Sequence, residues 1–288
     1  MFVPCAAPCD VLIQRILEIV CDANSILEQE YEAYCGEQEC FDIQRKEDNS
    51  PVTQADLKSN AFILQKLAQL TPEIPVLSEE NDATLRHQWE KCWLLDPLDG
   101  TKEFLKKRPE FTINLSLIEH GKTIFSVIAV PAQRLVYLGY THQMPYKYVQ
   151  DNQQWLLYQQ THHLFQHHVK LGLSHRSRKT EYQSFLEILQ HSYSVASVQA
   201  GSAYKFCMML EGEIDLYPRF HPTCEWDTSA GQGLLESIGG GLVSLDGHPF
   251  TYNQRETLLN DGFIAFMSPE GKALGLRVLD EMIKSQLL

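Results

Sequence analysis

The chain has 288 residues, enough to bury a large core in one large domain or two closely packed domains. Hydrophobic residues make up 44% of it and charged residues 21%, which is typical of a globular protein rather than a disordered one. The formal net charge of −13 argues against a nucleic-acid partner, because a polyanion needs a broad basic surface. A small phosphorylated substrate is compatible with this charge only where bound cations, or a few lysines and arginines, reverse the local field.

The eight cysteines form no CxxC pair, and the chain is too large to need covalent cross-links. We therefore expect free thiols and a reducing cytoplasm. The N-terminal stretch MFVPCAAPCD has no basic segment, and two prolines interrupt it, so no signal peptide is predicted. No apolar run approaches the ~20 residues of a membrane-spanning helix, so no transmembrane segment is predicted.

Two amphipathic helices are predicted in the first 70 residues. Asp10 is a suitable N-cap for the first, whose apolar residues recur at helical spacing to about Tyr34. The second begins near SPVTQAD, where Ser50 or Thr53 can provide the N-cap. Asp56, in the first turn of this helix, has an ordinary explanation, since a carboxylate there complements the helix dipole.

Two acidic clusters follow short apolar runs that are typical of strand ends. Glu79 follows the run PVLS, and Asp96 and Asp99 follow WLL in the stretch WLLDPLDGTKEF. The proline after Asp96 disfavours a helical conformation, and Gly100 permits a sharp turn. Two carboxylates about 4 Å apart repel by roughly 4 kcal/mol at an effective dielectric near 20. They are therefore either spread into solvent, where acidic loops usually lie, or share a proton or a hard cation.

In the rest of the chain, the sequence pattern predicts two regions of different secondary structure. Residues 111–159 alternate in short segments that predict an antiparallel meander, with turns at His120-Gly121 and Pro131-Ala132. From Val169 onwards strands and helices alternate, which predicts an α/β layer. The predicted fold class is therefore α/β (α+β). We expect an N-terminal α+β half over residues 1–160 and a C-terminal α/β half over residues 161–288, which together form one catalytic unit.

Four histidines lie in the segment THHLFQHHV between these halves: His162, His163, His167 and His168. A helix would bring His163 and His167 together at i, i+4, a spacing that metal ligands use. No carboxylate or thiol in the neighbouring sequence completes a ligand set. The segment is therefore interpreted as a solvated connector and not as a zinc site.

Three charged residues of the C-terminal half are candidates for function. Lys205 lies one turn into a predicted helix that begins near GSAYKFC, and Arg219 follows an apolar strand in LYPRF. Both cations could equally be surface charges. Asp227, in EWDTSAG, could be explained entirely as the N-cap of the next helix.

Four motifs in order, SPVTQAD, VLSEE, WLLDPLDGTKEF and EWDTSAG, resemble the signature of the magnesium-dependent, lithium-sensitive phosphatases of the inositol monophosphatase superfamily. GSAYKFC and LYPRF more closely resemble the bacterial CysQ-type 3'(2'),5'-bisphosphate nucleotidases. The resemblance extends from about residue 10 to near residue 266. It implies a layered αβαβα sandwich, a cytoplasmic location and, as an alternative, peripheral attachment to the cytoplasmic face of the inner membrane. It implies no oligomeric state.

The resemblance also implies a metal site for two or three Mg²⁺ ions. Four of its ligands are side chains, those of Glu79, Asp96, Asp99 and Asp227. The fifth is the backbone carbonyl of Leu98. Oxygen ligands of this kind suit Mg²⁺. Asp56 and Thr101 are implied to position and deprotonate the attacking water, whose pKa the metal lowers.

The implied substrate is adenosine 3',5'-bisphosphate, hydrolysed to AMP and phosphate, with its phosphosulfate precursor as a second substrate, as in sulfur assimilation. Its implied binding residues are Glu79, Leu98, Asp99, Gly100, Thr101, Ser202, Lys205, Arg219 and Asp227. Backbone N–H groups of Gly100 and Thr101 are expected to hold phosphate oxygens. Ser202, Lys205 and Arg219 would bind the second phosphate, with His175 or Arg176 as further candidates, although the SHRS order here departs from the usual SRSH.

Two alternatives are kept beside this interpretation. The chain could be an inositol monophosphatase or a sugar phosphatase, which need no clamp for a second phosphate. It could also be a non-catalytic regulatory protein on the same scaffold, which predicts a missing ligand or base; none of those residue types is missing.

Overall fold

The computed structural model describes residues 1–36, 44–45, 51–81, 84–160, 167–175, 180–201 and 203–287. In this part of the chain the helices are α1 (Val11–Cys35), α2 (Gln54–Leu70), α3 (Thr101–Leu105), α4 (Thr180–Gln190), α5 (Tyr204–Leu210), α6 (Ser229–Glu236) and α7 (Pro269–Lys284). The strands are β1 (Phe2–Pro4), β2 (Gln44–Arg45), β3 (Pro51–Val52), β4 (Val76–Ser78), β5 (Lys91–Asp99), β6 (Thr112–Glu119), β7 (Lys122–Val130), β8 (Leu135–Tyr140), β9 (Tyr146–Val149), β10 (Gln154–Tyr158), β11 (His168–Leu173), β12 (Ser194–Gln199), β13 (Leu216–Arg219), β14 (Thr223–Cys224), β15 (Gly241–Ser244), β16 (Leu259–Asn260) and β17 (Phe263–Phe266).

The first large sheet contains eight strands in the order β1-β10-β9-β8-β7-β6-β5-β4. From β5 to β10 each strand pairs antiparallel with the next, which confirms the predicted meander. β4 pairs with β5 in parallel, and Ser78 lies opposite Leu95. Because the two parallel strands run towards the same edge of the sheet, Glu79 follows β4 beside Asp96, and its N–H donates to the Leu95 carbonyl at 3.1 Å.

Helices α1 and α2 cover one face of this sheet. The Asp10 side chain accepts a hydrogen bond from the Ile13 N–H at 3.0 Å, which confirms the predicted start of α1. Thr53, not Ser50, is the N-cap of α2. The apolar faces of both helices form one core with Trp93, Leu95 and other residues on the same face of the sheet. The helical periodicity of the sequence therefore predicted core residues correctly.

The second sheet has five strands in the order β12-β11-β13-β17-β15. β11 pairs in parallel with β12 and β13, whereas β17 pairs antiparallel with β13 and β15. α5 and α6 lie between the two sheets in a shared core, and α4 and α7 cover the outer face of the second sheet. The layers thus follow the order α-β-α-β-α, as the resemblance implied.

Small residues allow α6 to pack closely between the sheets. A Cβ atom at Gly231 would lie 2.2 Å from the ring of Phe206 on α5, and one at Gly233 would lie 2.2 Å from the hydroxyl of Ser126 on β7. Neither position can carry a larger side chain without a shift of the neighbouring element. The small residues that follow Asp227 therefore allow the close packing of α6 against both neighbours.

Two further expectations concern side chains outside the site. Among the described residues, all seven cysteines are free thiols: Cys5, Cys9, Cys21, Cys35, Cys92, Cys207 and Cys224. His162 and His163 lie outside the described residues, whereas His167 and His168 are exposed at the start of β11. No helix in the described part of the chain is both long and apolar enough to cross a membrane.

Candidate active site

Two aspartates are directed into one cavity by the irregular end of β5. Asp96 lies opposite Asn114 and Asp99 opposite Thr112, so three residue steps on β5 face two on β6. Such a bulge re-aims side chains at the end of a strand. The Leu98 N–H donates to Asp96 Oδ1 at 3.0 Å, which fixes the turn between the two carboxylates.

Gly100 ends this turn and begins the short helix α3. Its φ of 91° and ψ of 34° lie in the left-handed region, and a Cβ atom there would lie 3.3 Å from the Phe111 Cα. The conformation and the close approach both favour glycine. The turn therefore places Thr101, the first residue of α3, directly beside the aspartates.

The structure brings together three of the predicted metal ligands. Carboxylate oxygens of Asp96, Asp99 and Asp227 all lie within 4.8 Å of one another. The Ala203 N–H holds Asp99 at 2.7 Å, and the Cys224 N–H holds Asp227 at 2.9 Å. Glu79 lines the same cavity, as does Leu98, whose carbonyl is the predicted fifth ligand.

The alternative explanation of Asp227 as the cap of α6 is wrong. Asp227 ends a 3₁₀ turn formed by residues 225–227, and Thr228 precedes α6 instead. One Asp227 oxygen caps that short turn by accepting the Cys224 N–H. A carboxylate oxygen of Asp227 lies within 4.8 Å of oxygens of Asp96 and Asp99.

Burial raises the pKa of each aspartate in this cluster, and repulsion within the cluster adds to the shift at Asp96 and Asp227. Asp96 is only 1% exposed; its burial, followed by the charges of Glu79, Asp99 and Asp227, raises its pKa well above the ordinary value. Burial also raises the pKa of Asp99, although the Ala203 N–H opposes this shift. Burial and the Asp99 charge raise the pKa of Asp227 to about 7. Carboxylates this crowded require protons or a cation, and a set of oxygen donors fits Mg²⁺.

These shifts predict how pH affects the stability of the metal-free protein. A carboxyl whose pKa is raised by folding stabilises the fold below its unfolded pKa, about 4. That stabilisation is lost as the pH rises through the folded value, about 7 for Asp227. We therefore expect the Tm in EDTA to fall between pH 5 and pH 7.5, and saturating Mg²⁺ to raise it by at least about 3 °C at pH 7.5.

Differential scanning fluorimetry at matched ionic strength measures this effect. The gap between the Mg²⁺ and EDTA curves should widen with pH, and Asp227→Asn should narrow it at pH 7.5. A gap that is the same at pH 5 and pH 7.5 would show that the cluster does not exchange protons for a cation.

The predicted catalytic pair, Asp56 and Thr101, is formed in the structure. Thr53 donates to Asp56 Oδ2 from its N–H at 2.8 Å and from its hydroxyl at 2.6 Å. The other oxygen, Oδ1, accepts from the Thr101 hydroxyl at 3.1 Å. Asp56 therefore completes the capping box of α2 with one oxygen and orients Thr101 with the other. Burial raises its pKa, although the bonds from Thr53 oppose the shift.

A cavity of about 460 Å³ contains this site. Glu79, Asp96 and Thr101 line it on the side of the first sheet. Residues at the ends of strands of the second sheet, or just after them, line the other side: Ser174, His175, Arg219, His221 and Pro222. The cavity therefore lies between the two halves that the sequence predicts, and both contribute to its wall.

The predicted substrate cations occupy different places. Arg219 lines the cavity and donates from Nη1 to the Tyr217 hydroxyl at 3.0 Å. Lys205 is fully buried and does not line the cavity; its Nζ donates to the carbonyls of Ala200 at 2.8 Å and Gly201 at 2.7 Å. Lys205 thus holds the backbone of the cavity wall, and its predicted contact with substrate stays a prediction. Ser202 and Arg176 lie outside the described residues.

His175 is fixed by a residue that the sequence did not indicate. Its Nε2 lies 2.6 Å from Glu110 Oε2, and the same oxygen accepts from the Gly201 N–H at 2.9 Å. Glu110 therefore joins two loops of the cavity wall. Nothing in the neighbourhood of Glu110 in the sequence distinguishes it from a surface carboxylate. His221 was also missed, although its place two residues after Arg219 could have marked it.

Comparisons with known proteins show the family to which the chain belongs. The model of the inositol monophosphatase family matches residues 12–279. The 3'(2'),5'-bisphosphate nucleotidase CysQ of Salmonella typhimurium is 34% identical over 255 residues, covering 88% of this chain and 98% of the relative. The protein of the same description from Escherichia coli K12 is 35% identical over 265 residues, with the same coverage.

Solved structures show the same fold. CysQ from Bacteroides thetaiotaomicron, described as a bacterial member of the inositol monophosphatase family, matches with a TM-score of 0.72 and 29% identity, over 88% of this chain and 96% of that one. The suhB protein of Bartonella henselae matches with a TM-score of 0.76 over 94% of this chain and 99% of that one. At 19% identity, the second match concerns the fold alone.

Proposed function

We propose that this chain, which belongs to the inositol monophosphatase family, is a magnesium-dependent 3'(2'),5'-bisphosphate nucleotidase. Its substrate is adenosine 3',5'-bisphosphate, which it hydrolyses to AMP and phosphate; the phosphosulfate precursor is a second substrate. The observation that carries the proposal is the cluster of Asp96, Asp99 and Asp227 in one cavity with Thr101, whose hydroxyl donates to Asp56. The relatives named CysQ support the choice of substrate.

The proposed metal ligands are those that the sequence indicated: Glu79, Asp96, the Leu98 carbonyl, Asp99 and Asp227. Two or three Mg²⁺ ions would be held there. When bound, Mg²⁺ makes water more acidic and offsets negative charge on the phosphate and on the departing oxygen. The local charge would then favour a polyanionic substrate despite the net charge of −13.

Proton transfer falls to Asp56 and Thr101. Because Thr101 donates its own proton to Asp56, a lone pair of its hydroxyl is directed elsewhere and can accept a proton from water. The threonine proton then moves to Asp56 Oδ1. Burial of Asp56 favours this uptake, since it raises the pKa of the carboxyl, while Thr53 keeps the side chain in place. The water attacks phosphorus in line with the leaving ribose oxygen.

Contacts with the two phosphates are proposed at separate parts of the cavity. The N–H groups of Gly100 and Thr101 would bind the phosphate that is cleaved, which lies beside the aspartates. Arg219 would bind the second phosphate together with Ser202, with His175 or Arg176 as further candidates, as the resemblance implies. Lys205, which the resemblance also implies, holds the wall of the cavity through the Ala200 and Gly201 carbonyls. A phosphatase for inositol monophosphate has no use for this second set.

A substrate panel tests the proposal. With Mg²⁺ present, kcat/KM for adenosine 3',5'-bisphosphate should exceed that for inositol 1-phosphate by about 100-fold or more, since each hydrogen bond to a charged phosphate contributes about 1.5–3 kcal/mol. Phosphate release measured for both substrates, with 5'-AMP as a negative control, provides the comparison. A preference for inositol 1-phosphate would establish the first rival, and inactivity towards all phosphomonoesters would favour a regulatory protein.

We further propose that residues 1–160 and 161–288 form one catalytic unit. The support is that Asp96 and Asp99 come from the first half and Asp227 from the second, yet their oxygens lie together. Neither half contains a complete ligand set.

The cytoplasm is the proposed location, in agreement with the free thiols of the described cysteines. Lithium inhibition is expected from membership of the family.

A further inference from the structure

His221 lies in the cavity wall at the end of the second sheet. It is the second residue after β13, next to Phe220, and it lines the cavity together with Arg219 and Pro222. Neither the motifs of the sequence nor the proposed catalytic machinery assigns it a role. It is partly buried, so it is a built part of the wall rather than a freely solvated side chain.

The imidazole of His221 is held by a buried tyrosine of α4. Tyr182 Oη lies 3.0 Å from His221 Nδ1 and accepts the Phe220 N–H at 3.2 Å. The Tyr182 ring is 3% exposed and packs edge-on against Phe220, which fixes the hydroxyl in position. If the hydroxyl donates to Nδ1, a neutral His221 carries its proton on Nε2. The ring can then donate a hydrogen bond from Nε2, on a side chain that lines the cavity.

The surroundings indicate what this donor would meet. The wall of the cavity formed at the end of the first sheet is acidic, because it contains Glu79, Asp96 and Asp99. The wall formed at the end of the second sheet contains Arg219 as well as His221. It also contains the Ser174 hydroxyl, a buried oxygen without a hydrogen-bond partner in the described structure. Donors gathered on one side of a cavity fit an anionic group of the ligand.

We propose that His221 is a specificity-determining residue that donates a hydrogen bond from Nε2 to the phosphate remote from the cleaved bond. Tyr182 is a positioning residue that orients the imidazole for this contact. The inference rests on the proposed function, because only a bisphosphate substrate carries that second phosphate. The contact adds binding energy without taking part in proton transfer at the aspartate cluster.

Two substitutions distinguish the roles of the two ring nitrogen atoms of His221. The amide nitrogen of glutamine can replace Nε2, whereas that of asparagine reaches only the position of Nδ1. We expect His221→Asn to raise KM for adenosine 3',5'-bisphosphate by about tenfold, as for loss of one hydrogen bond to a charged group, with kcat changed less than twofold. His221→Gln should restore most of the loss. Tyr182→Phe should raise the same KM by about threefold, because the imidazole is present but less well oriented.

Adenosine 3'-monophosphate, which lacks the second phosphate, is the matched control substrate. Its KM should be unchanged in all three variants, and circular dichroism with thermal unfolding confirms that they are folded. Equal KM increases for both substrates, or no increase for either, would overturn the assignment of His221. A wild-type enzyme that does not prefer the bisphosphate would overturn the proposed function and this inference with it. A preference for the bisphosphate over adenosine 3'-monophosphate that is undiminished in His221→Asn would overturn the inference alone.

Discussion

Replacement of Asp99 by asparagine is expected to lower kcat/KM by about a thousandfold or more while the fold is retained. Asp99 is 8% exposed and lies with Asp96 and Asp227 in the cluster that is proposed to hold Mg²⁺. Asparagine removes a charged ligand but keeps an oxygen that can accept the Ala203 N–H, which now donates to Asp99 at 2.7 Å. The loss should therefore be chemical and not structural.

A second readout distinguishes this loss from unfolding. In the metal-free protein at pH 7.5, Asp99→Asn should raise the Tm, because it removes one of several mutually repelling buried charges. Activity and metal-free stability should thus change in opposite directions. Glu79→Gln should lose activity in the same way. Asp22→Asn, the same change at an exposed position of α1, is the control and should alter neither quantity.

Steady-state phosphate release at saturating Mg²⁺ measures the activity of each variant. If Asp99→Asn or Glu79→Gln kept near-full Mg²⁺-dependent activity, the proposed ligand set would be wrong. If Asp99→Asn instead lowered the metal-free Tm, the repulsion inferred among the carboxylates would be wrong.

The predictable features of this protein are those that depend on neighbours in sequence. Asp10 caps α1 because a short acceptor precedes an apolar helical repeat, and that pattern is visible without a structure. The meander from β5 to β10 follows from alternation and turn residues. Asp96 and Asp99 were recognised because the turn that presents them lies in one continuous motif.

Features that depend on packing between layers could not be predicted as well from the sequence. Lys205 was expected near the second phosphate from its motif, yet the core between the two sheets surrounds it and its Nζ binds backbone carbonyls. Burial lowers its pKa, and that burial depends on Tyr217 and neighbouring elements rather than on helical spacing. Glu110 and His221 acquire partners on distant segments, at His175 and Tyr182. No local pattern reports such contacts.

The pair of Asp56 and Thr101 gives the second large effect. Thr101→Val keeps the shape of the side chain but removes the hydroxyl that donates to Asp56 Oδ1 at 3.1 Å. Since general acid–base catalysis contributes about 10²–10⁴-fold, we expect kcat to fall by at least about 100-fold. Mg²⁺ binding should persist, because the proposed ligand side chains and the Leu98 carbonyl are unchanged.

Thr101→Ser is the matched control, because it keeps the hydroxyl. It should retain at least about a tenth of the wild-type kcat, well above the kcat expected after loss of the proton acceptor. Isothermal titration with Mg²⁺ separates loss of the proton path from loss of the metal, which Asp99→Asn should cause instead. Asp56→Asn should resemble Thr101→Val, since an amide cannot take up the threonine proton. If Thr101→Val were as active as Thr101→Ser, the hydroxyl would not carry the proton, and Asp56 would serve only in the capping box of α2.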